Sequence, residues 1–325
     1  MLSNNEWLVA GGLWYTEFAH SSYSTLSKVL AAPLCDHHSA LYEHHSADSS
    51  YSSLSTRMLL AVNVGNTHTK FGLYAGAARR AGWRATTVRA ATADDWGAGL
   101  ATALAVRGLA LPAVRACIIA SVVPPVTTAL AAMSAGWLGT PALVVGPDLR
   151  LGIRLGVDNP QAIGADRVVN GAAAFARYGG PCIVVDLGTA TTVNAVDAAG
   201  TLLGGAIAPG LNTAAGELYR RTAGLAVVDP VVPRRVIGTS TERALQAGIV
   251  LGHLGPVEGL VARMQVELRA GGATGPIPVI ATGGLARLLA PATPVFTHID
   301  PDLTLDGLPM IYALNAPPGA PAADK

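Results

Sequence analysis

Charge is scarce in this chain: Asp, Glu, Lys and Arg make up 13% of its 325 residues, and the net charge is +1. A nucleic-acid-binding surface needs a basic face, and this composition offers none. Lysine is rarer still, standing only at positions 28, 70 and 325 while Arg supplies the other basic residues. The three cysteines, Cys35, Cys117 and Cys182, are an odd number without metal-ligand spacing. The latter two sit inside apolar strand-like runs, so all three read as reduced thiols rather than disulfides. No uninterrupted apolar run approaches the roughly 20 residues of a membrane span, and no Lys or Arg precedes Lys28 to open a secretory signal. These absences leave a cytoplasmic protein, without nucleic-acid or membrane partners, that acts on small molecules or assembles with copies of itself.

What is present is apolar. Half of the residues are hydrophobic, and the length suffices for two domains of ordinary size. Residues 1–57 stand apart, with twelve Ser, five of the eight His, and a near repeat of Ser21–Ser27 in Ser49–Ser55. Such a segment cannot bury a core and is expected to be a disordered leader. His37-His38 and His44-His45, with Cys35 and Asp36, are either an adventitious metal binder or part of this low complexity. Met58 directly precedes the first strand-like run, so the true start is expected there, and residues 316–325 read as a flexible tail.

From Met58 onward, strands and helices alternate. Strand patterns fall at 59–64, 70–75, 83–89, 116–122, 142–145, 182–186, 191–197, 202–208, 277–281 and 294–297. Helical patterns fall near 93–107, 126–135, 161–177, 210–222, 240–270, 283–290 and 303–314. Each half begins with a hairpin or meander and continues into strand–helix alternation. That pattern predicts an α/β protein of two duplicated ribonuclease-H-like domains, 58–160 and 161–315, with a cleft between them. In the long helix, Leu245, Ile249, Leu254, Val257, Leu260, Val261 and Met264 suit either a core face or a dimer interface.

The halves share one short pattern: a buried apolar run ending in Asn63 or Asp186, followed by a turn rich in Gly and Thr. The first turn holds Val64, Gly65, Asn66, Thr67, His68, Thr69 and Lys70, and the second runs from Gly188 through Thr189 to Thr192. A further strand follows each, so these are hairpin tips rather than helix openings, which argues against a Walker-type loop. Glycine lets the backbone approach a phosphate, and Thr hydroxyls and amide N–H groups donate to its oxygens. A carboxylate or amide at the strand end can hold a cation against the same phosphates. Two opposed turns of this kind predict a nucleotide clamped between the halves, with Lys70 beside it either as a phosphate ligand or as a solvated strand-end residue.

Gly164-Ala165-Asp166-Arg167 opens a helix after Asp158-Asn159-Pro160. A carboxylate in a first helical turn is favoured by the dipole, and Arg167 adds a planar fork suited to a carboxylate or phosphate. An acid beside an anion binder fits a kinase that deprotonates a hydroxyl while holding an acidic substrate. Gly204 to Gly210 leads into another helix that ends near Thr222-Ala223, and Thr282-Gly283-Gly284 follows an apolar strand where an adenosine could lie against bare backbone.

In order and spacing these motifs, with Ala120-Ser121-Val122-Val123-Pro124, resemble the type III pantothenate kinases of the acetate kinase/Hsp70/actin superfamily over about 58–315. The resemblance implies ATP-dependent phosphorylation of the primary hydroxyl of pantothenate, the first step toward coenzyme A. It implies Asp166 as general base and Gly164, Ala165, Asp166, Arg167 and Thr222 as pantothenate contacts. Asn63 to Lys70 and Thr189 correspond to ATP-phosphate positions, and Asp186 to the ligand of a monovalent cation, potassium or ammonium. Mg²⁺ is expected with ATP, and a homodimer with its substrate pocket near the interface. The chain departs from the family pattern at Asn63 and Asn194, where Asp is usual, at Val157, often a Tyr, and at Leu225-Ala226, where Leu-Pro is usual. Two alternatives stay open: a non-catalytic relative of the Bvg accessory factor kind, and a superfamily kinase for another small acid.

Overall fold

The computed structural model describes residues 57–316, so the expectations for the leader, its His pairs and Cys35, and for the tail lie outside the described residues. β1 (Met58–Val64), β2 (His68–Ala75) and β3 (Ala78–Thr86) form an antiparallel meander. α1 (Ala93–Ala105), β4 (Val114–Ser121), α2 (Pro124–Trp137) and β5 (Ala142–Val144) complete the first unit. After β6 (Arg154–Leu155) and α3 (Ala165–Tyr178), a second meander follows in β7 (Cys182–Leu187), β8 (Ala190–Val196) and β9 (Thr201–Pro209). The chain ends with α4 (Leu211–Arg221), α5 (Thr241–Ala270), β10 (Val279–Thr282), α6 (Ala286–Leu289), β11 (His298–Ile299) and α7 (Leu303–Asn315).

The first sheet has the order β3-β2-β1-β4-β5, and the second repeats it as β9-β8-β7-β10-β11, with β6 added beside β9. In both, the meander is antiparallel and the last two strands run parallel to the central one. This is the duplicated ribonuclease-H-like α/β architecture that the motif order predicts.

Side-chain alternation sorts each sheet into two faces. In β1, Leu60, Val62 and Val64 pack outward with Trp96, Leu100 and Leu130 of α1 and α2. Leu59 and Ala61 face inward, onto Val168 and Val169 of α3 and Leu305 and Leu308 of α7. In β7, Ile183, Val185 and Leu187 pack outward against Val250, Leu254 and Val257 of α5. Cys182 and Val184 face inward against Ala173 and Ala174 of α3. Both sheets therefore turn their inner faces to one shared layer, α3 and α7, and the same alternation puts Asn63 and Asp186 on those inner faces. Ion pairs fasten the start of α7: Arg79 with Asp302 (2.9 Å) and Arg177 with Asp300 (2.6 Å). Cys117 and Cys182 are free and buried, and burial pushes both thiols up to about 12.

Several boundaries differ from expectation for physical reasons. β3 starts at Ala78 rather than at 83, because the Gly76 turn (φ 61°) closes a hairpin whose pairing recruits the polar Arg79 and Arg80 into the strand. α3 starts at Ala165 rather than 161, because Asn159 caps a separate 3-10 turn at Pro160–Ala162 and Gly164 forms the helix cap. The strand expected at 294–297 is instead His298–Ile299, and β6 is only two residues long, too short to leave a pattern. α5, by averaged hydropathy, is long and apolar enough to cross a membrane, although no uninterrupted run is. One side of it fills the second core, and six charged residues are spread along its length.

The crossing of α3 and α7 is tight at Gly307, where an added Cβ would stand 2.7 Å from Ala173 Cβ and 3.0 Å from Val169 Cγ1. Gly307→Val should cost about 1–3 kcal/mol by overpacking and lower the melting temperature by several degrees. An unchanged thermal melt would show that the two helices separate freely.

Candidate functional site

The tip of the β1–β2 hairpin is closed by Gly65 N–H donating to His68 O (3.0 Å). It is braced from behind by Thr87, whose hydroxyl donates to Gly65 O (2.7 Å) and whose N–H donates to Thr67 O (3.0 Å). Thr69 is fully buried and shares a 3.0 Å bond with the Thr87 hydroxyl, so it supports the turn from within. Asn66, Thr67 and His68 are exposed at the tip. In the second hairpin, Gly188 N–H donates to Ala190 O (3.1 Å), and Thr189 O accepts from Gly210 N–H (3.1 Å) and Thr213 Oγ1 (2.6 Å). The two tips meet, with Thr67 Oγ1 and Thr189 Oγ1 2.8 Å apart. The predicted opposition of the turns is thus realised hydroxyl to hydroxyl.

Behind the tips, polar groups project from the inner faces. Asn63 pairs with Lys70 on β2 and with Ala120 on β4, and its Oδ1 is buried without a hydrogen-bond partner. Lys70 Nζ reaches Pro301 O only at 3.5 Å. Asp186 pairs with Thr192 on one side and Thr282 on the other. Its Oδ2 accepts from Asn170 Nδ2 (3.0 Å), and Asn170 Oδ1 accepts from Thr304 Oγ1 (2.6 Å), so α3 and α7 together orient the carboxylate. Thr282 is fully buried and its hydroxyl has no partner. Gly283, at φ 90°, lets the backbone pass so close that any Cβ would collide with the Asp186 carboxylate.

Burial, then the charge of Asp166, pushes the Asp186 carboxyl from 3.8 up to about 6, against the Asn170 hydrogen bond and the charge of Lys70. A buried hydroxyl without a partner costs about 1–3 kcal/mol. One carboxylate oxygen outside the Asn170 bond, a neighbouring unpartnered hydroxyl and a carboxyl reluctant to ionise alone form an oxygen donor set that fits a hard cation. No group of three or more His, Cys, Asp or Glu stands together among the described residues.

The first turn of α3 carries Asp166, whose Oδ1 accepts from Arg167 N–H (2.8 Å). Gly164 makes room for it: a Cβ there would lie 2.6 Å from Asp166 Oδ1 and 3.4 Å from Val122 Cγ1. Ala165 is buried in the inner core. Burial raises the Asp166 carboxyl above its ordinary value, with the Arg167 N–H and the guanidinium charge opposing. Burial also lowers Arg167, whose Nε donates to Asn194 Oδ1 at 2.7 Å. Asp166 and Lys70 are both near enough for their charges to act on Asp186. Thr222 stands elsewhere: it caps α4, its hydroxyl donates to Leu218 O (2.8 Å), and α4 packs on α5 and β8 while α3 packs on α7, β4, β7 and β8.

The family model of the type III pantothenate kinases matches residues 59–263. The chain belongs to this family. It is 44% identical over 258 residues to the type III pantothenate kinase of Moorella thermoacetica, covering 79% of this chain and all of that one. It is 46% identical over 261 residues to that of Rhodospirillum rubrum, covering 80% of this chain and all of the relative. Among solved structures, a conserved putative Baf family transcriptional activator from Campylobacter jejuni shares the fold at a TM-score of 0.52 and 16% identity, over 79% of this chain and 98% of its own.

Thr87, Asn170 and Thr304 escaped the motif reading, because each is a lone polar residue with no periodic signature. The one signal was Asn170, a polar amide among the buried apolar and small residues of α3. A carboxyl raised in the folded state binds more protons there than in the unfolded chain between its two values. Stability therefore falls as pH rises through that window. In potassium-free buffer the melting temperature should decline between about pH 4 and 6.5, and Asp186→Asn should flatten the decline. An identical slope in the variant would show that Asp186 is not the group responsible.

Proposed function

We propose that this chain transfers the γ-phosphoryl group of ATP to the primary hydroxyl of pantothenate, releasing ADP and 4'-phosphopantothenate. The observation that carries the reading is the partly buried Asp166–Arg167 pair at the mouth of α3, set beside the strand ends of both halves. It stands in a chain that matches curated type III pantothenate kinases along their full length. The non-catalytic alternative has only Asn63 in its support.

Asp166 takes the proton as the hydroxyl oxygen bonds to phosphorus and the bond to ADP breaks. Burial raises its pKa and makes it a better proton acceptor than an ordinary carboxylate, while the Arg167 N–H and guanidinium oppose that rise. Gly164 leaves backbone open to the substrate, Ala165 holds the turn from the core behind it, and Arg167 binds the anionic end. The turn from Asn63 through Val64, Gly65, Asn66, Thr67 and His68 to Lys70, with Thr189 opposite, holds the phosphates, and Thr69 stiffens the turn. Asp186 and Thr282 hold a potassium or ammonium ion, and Mg²⁺ arriving with ATP supplies charge neutralisation on the phosphates.

The halves 58–160 and 161–315 act as the two sides of the nucleotide cleft, in a cytoplasmic enzyme without nucleic-acid or membrane partners. A homodimer is supported by a cavity of about 600 Å³ between α4 and α5. Leu245, Ile249 and Leu260 line it, Leu254 and Val261 fill the core and Val257 does both, so one side of α5 is a core face and the other suits a dimer interface. Leu203, Ile207, Val227 and Ile237 are exposed apolar residues as well, and a second copy would bring its Thr222 to a composite site.

Asp166→Asn should remove nearly all turnover while ATP binding, read by calorimetry, stays intact. In the parent enzyme kcat/KM should fall on acidification with a midpoint above the ordinary Asp value of about 3.9. Full turnover by the variant would end the assignment of Asp166. Potassium should activate, and Thr282→Val should weaken that activation while leaving the melting temperature equal or higher, since it deletes an unpartnered hydroxyl. Equal rates in sodium-only buffer would remove the cation from the reading. Asn63→Asp should raise turnover or lower the Mg²⁺ requirement, because it restores a charge facing the metal; no gain at any Mg²⁺ concentration would make the amide irrelevant. Light scattering should give twice the chain mass, and Ile249→Glu should shift it toward one.

A further inference from the structure

Arg167 is held by Asn194, one of the positions at which the chain departs from the family pattern. Its Nε donates to Asn194 Oδ1 at 2.7 Å, and Asn194 Nδ2 donates to Thr192 Oγ1 at 3.1 Å. Asn194 is fully buried on the inner face of β8, paired with Val184 on one side and Gly205 on the other. Gly205 leaves the space the amide occupies, since a Cβ there would come within 2.9 Å of Asn194 Oδ1 and collide with Val193 O. The Thr192 bond fixes which way the amide faces, so its oxygen points at the guanidinium.

A guanidinium has five N–H donors, and Nε carries one of them. With Nε engaged, the plane of the group is set, and the four donors on the two terminal nitrogens make no hydrogen bond to any described residue. A fixed plane with both terminal nitrogens available matches a carboxylate, which takes two parallel N–H bonds. The anchor is neutral. The Asp usual in the family at 194 would accept from Nε in the same way, so the orienting role rests on an acceptor oxygen at this place rather than on its charge.

We infer that Asn194 is a positioning residue that presents the terminal nitrogens of Arg167 to the carboxylate of the acidic substrate, and so sets selectivity for an acid over its neutral amide. This rests on the pantothenate kinase reading, and its test begins with parent enzyme that phosphorylates pantothenate; no turnover there sinks that reading and not this one. Given turnover, Asn194→Ala should raise KM for pantothenate about tenfold or more, with kcat and KM for ATP within about threefold of the parent. The preference for pantothenate over a pantothenamide, in which the carboxylate is an amide, should fall by the same factor. Asn194→Asp keeps the acceptor and the shape, so it should recover part of the KM loss and provides a folded variant if Ala unfolds the strand. In an Arg167→Lys background, Asn194→Ala should have no further effect on selectivity, since Lys lacks Nε. The inference is overturned if Asn194→Ala keeps the acid-to-amide ratio of the parent, or if Asn194→Asp, which retains the acceptor, loses as much of that ratio as Ala does. A rise in KM for ATP alone would overturn it too, by placing the fork on phosphate, as would a further loss of selectivity from Asn194→Ala in the Arg167→Lys background.

Discussion

Two sheets can bury their inner faces on the same pair of helices only if those helices approach closely where they cross, and Gly307 against Ala173 and Val169 allows that approach. From this packing the cleft follows. Strand alternation sends Asn63 and Asp186 into the shared layer, and α3 answers from its first turns with Asp166 and Asn170. The polar groups therefore meet because the apolar ones leave no other arrangement.

The electrostatic character of the cleft has the same origin. Two carboxyls are desolvated near one another with Lys70 as their nearest amine, so each resists ionisation more than a surface carboxylate does. Clusters of this kind weaken the unliganded fold and gain from cations and charged ligands, the usual tension between stability and function at a site. The unpartnered Thr282 hydroxyl and Asn63 carbonyl oxygen belong to that tension: buried polar atoms in native proteins are nearly always paired, and these two lie in the cleft.

Much of this was legible in the sequence. The duplication was visible because hairpin turns with Gly and Thr have a local chemistry that does not depend on distant contacts, and both hairpins formed where the pattern placed them. Elements that exist only through their partners were displaced or missed: β3 follows the register of β2, while β6 and β11 are two-residue additions to an existing edge. The same distinction runs through the site. Asp166 and Asp186 sit in recognisable motifs, but Thr87, Asn170 and Thr304 act across the fold, and a single Thr or Asn carries no period to betray what it will touch. Thr222 was assigned to the substrate by resemblance, and within one chain it ends a helix that packs chiefly on α5 and β8.

The scarcity of lysine acquires a practical meaning once the fold is known. Arg provides nearly all the positive charge, so among residues 57–316 Lys70 is the sole side-chain amine, and it lines the cleft beside Asn63. Amine-selective chemistry, usually a blunt reagent that decorates a whole surface, here addresses one described position. The protein thus carries a natural attachment point for a spectroscopic label at the place where its two halves meet.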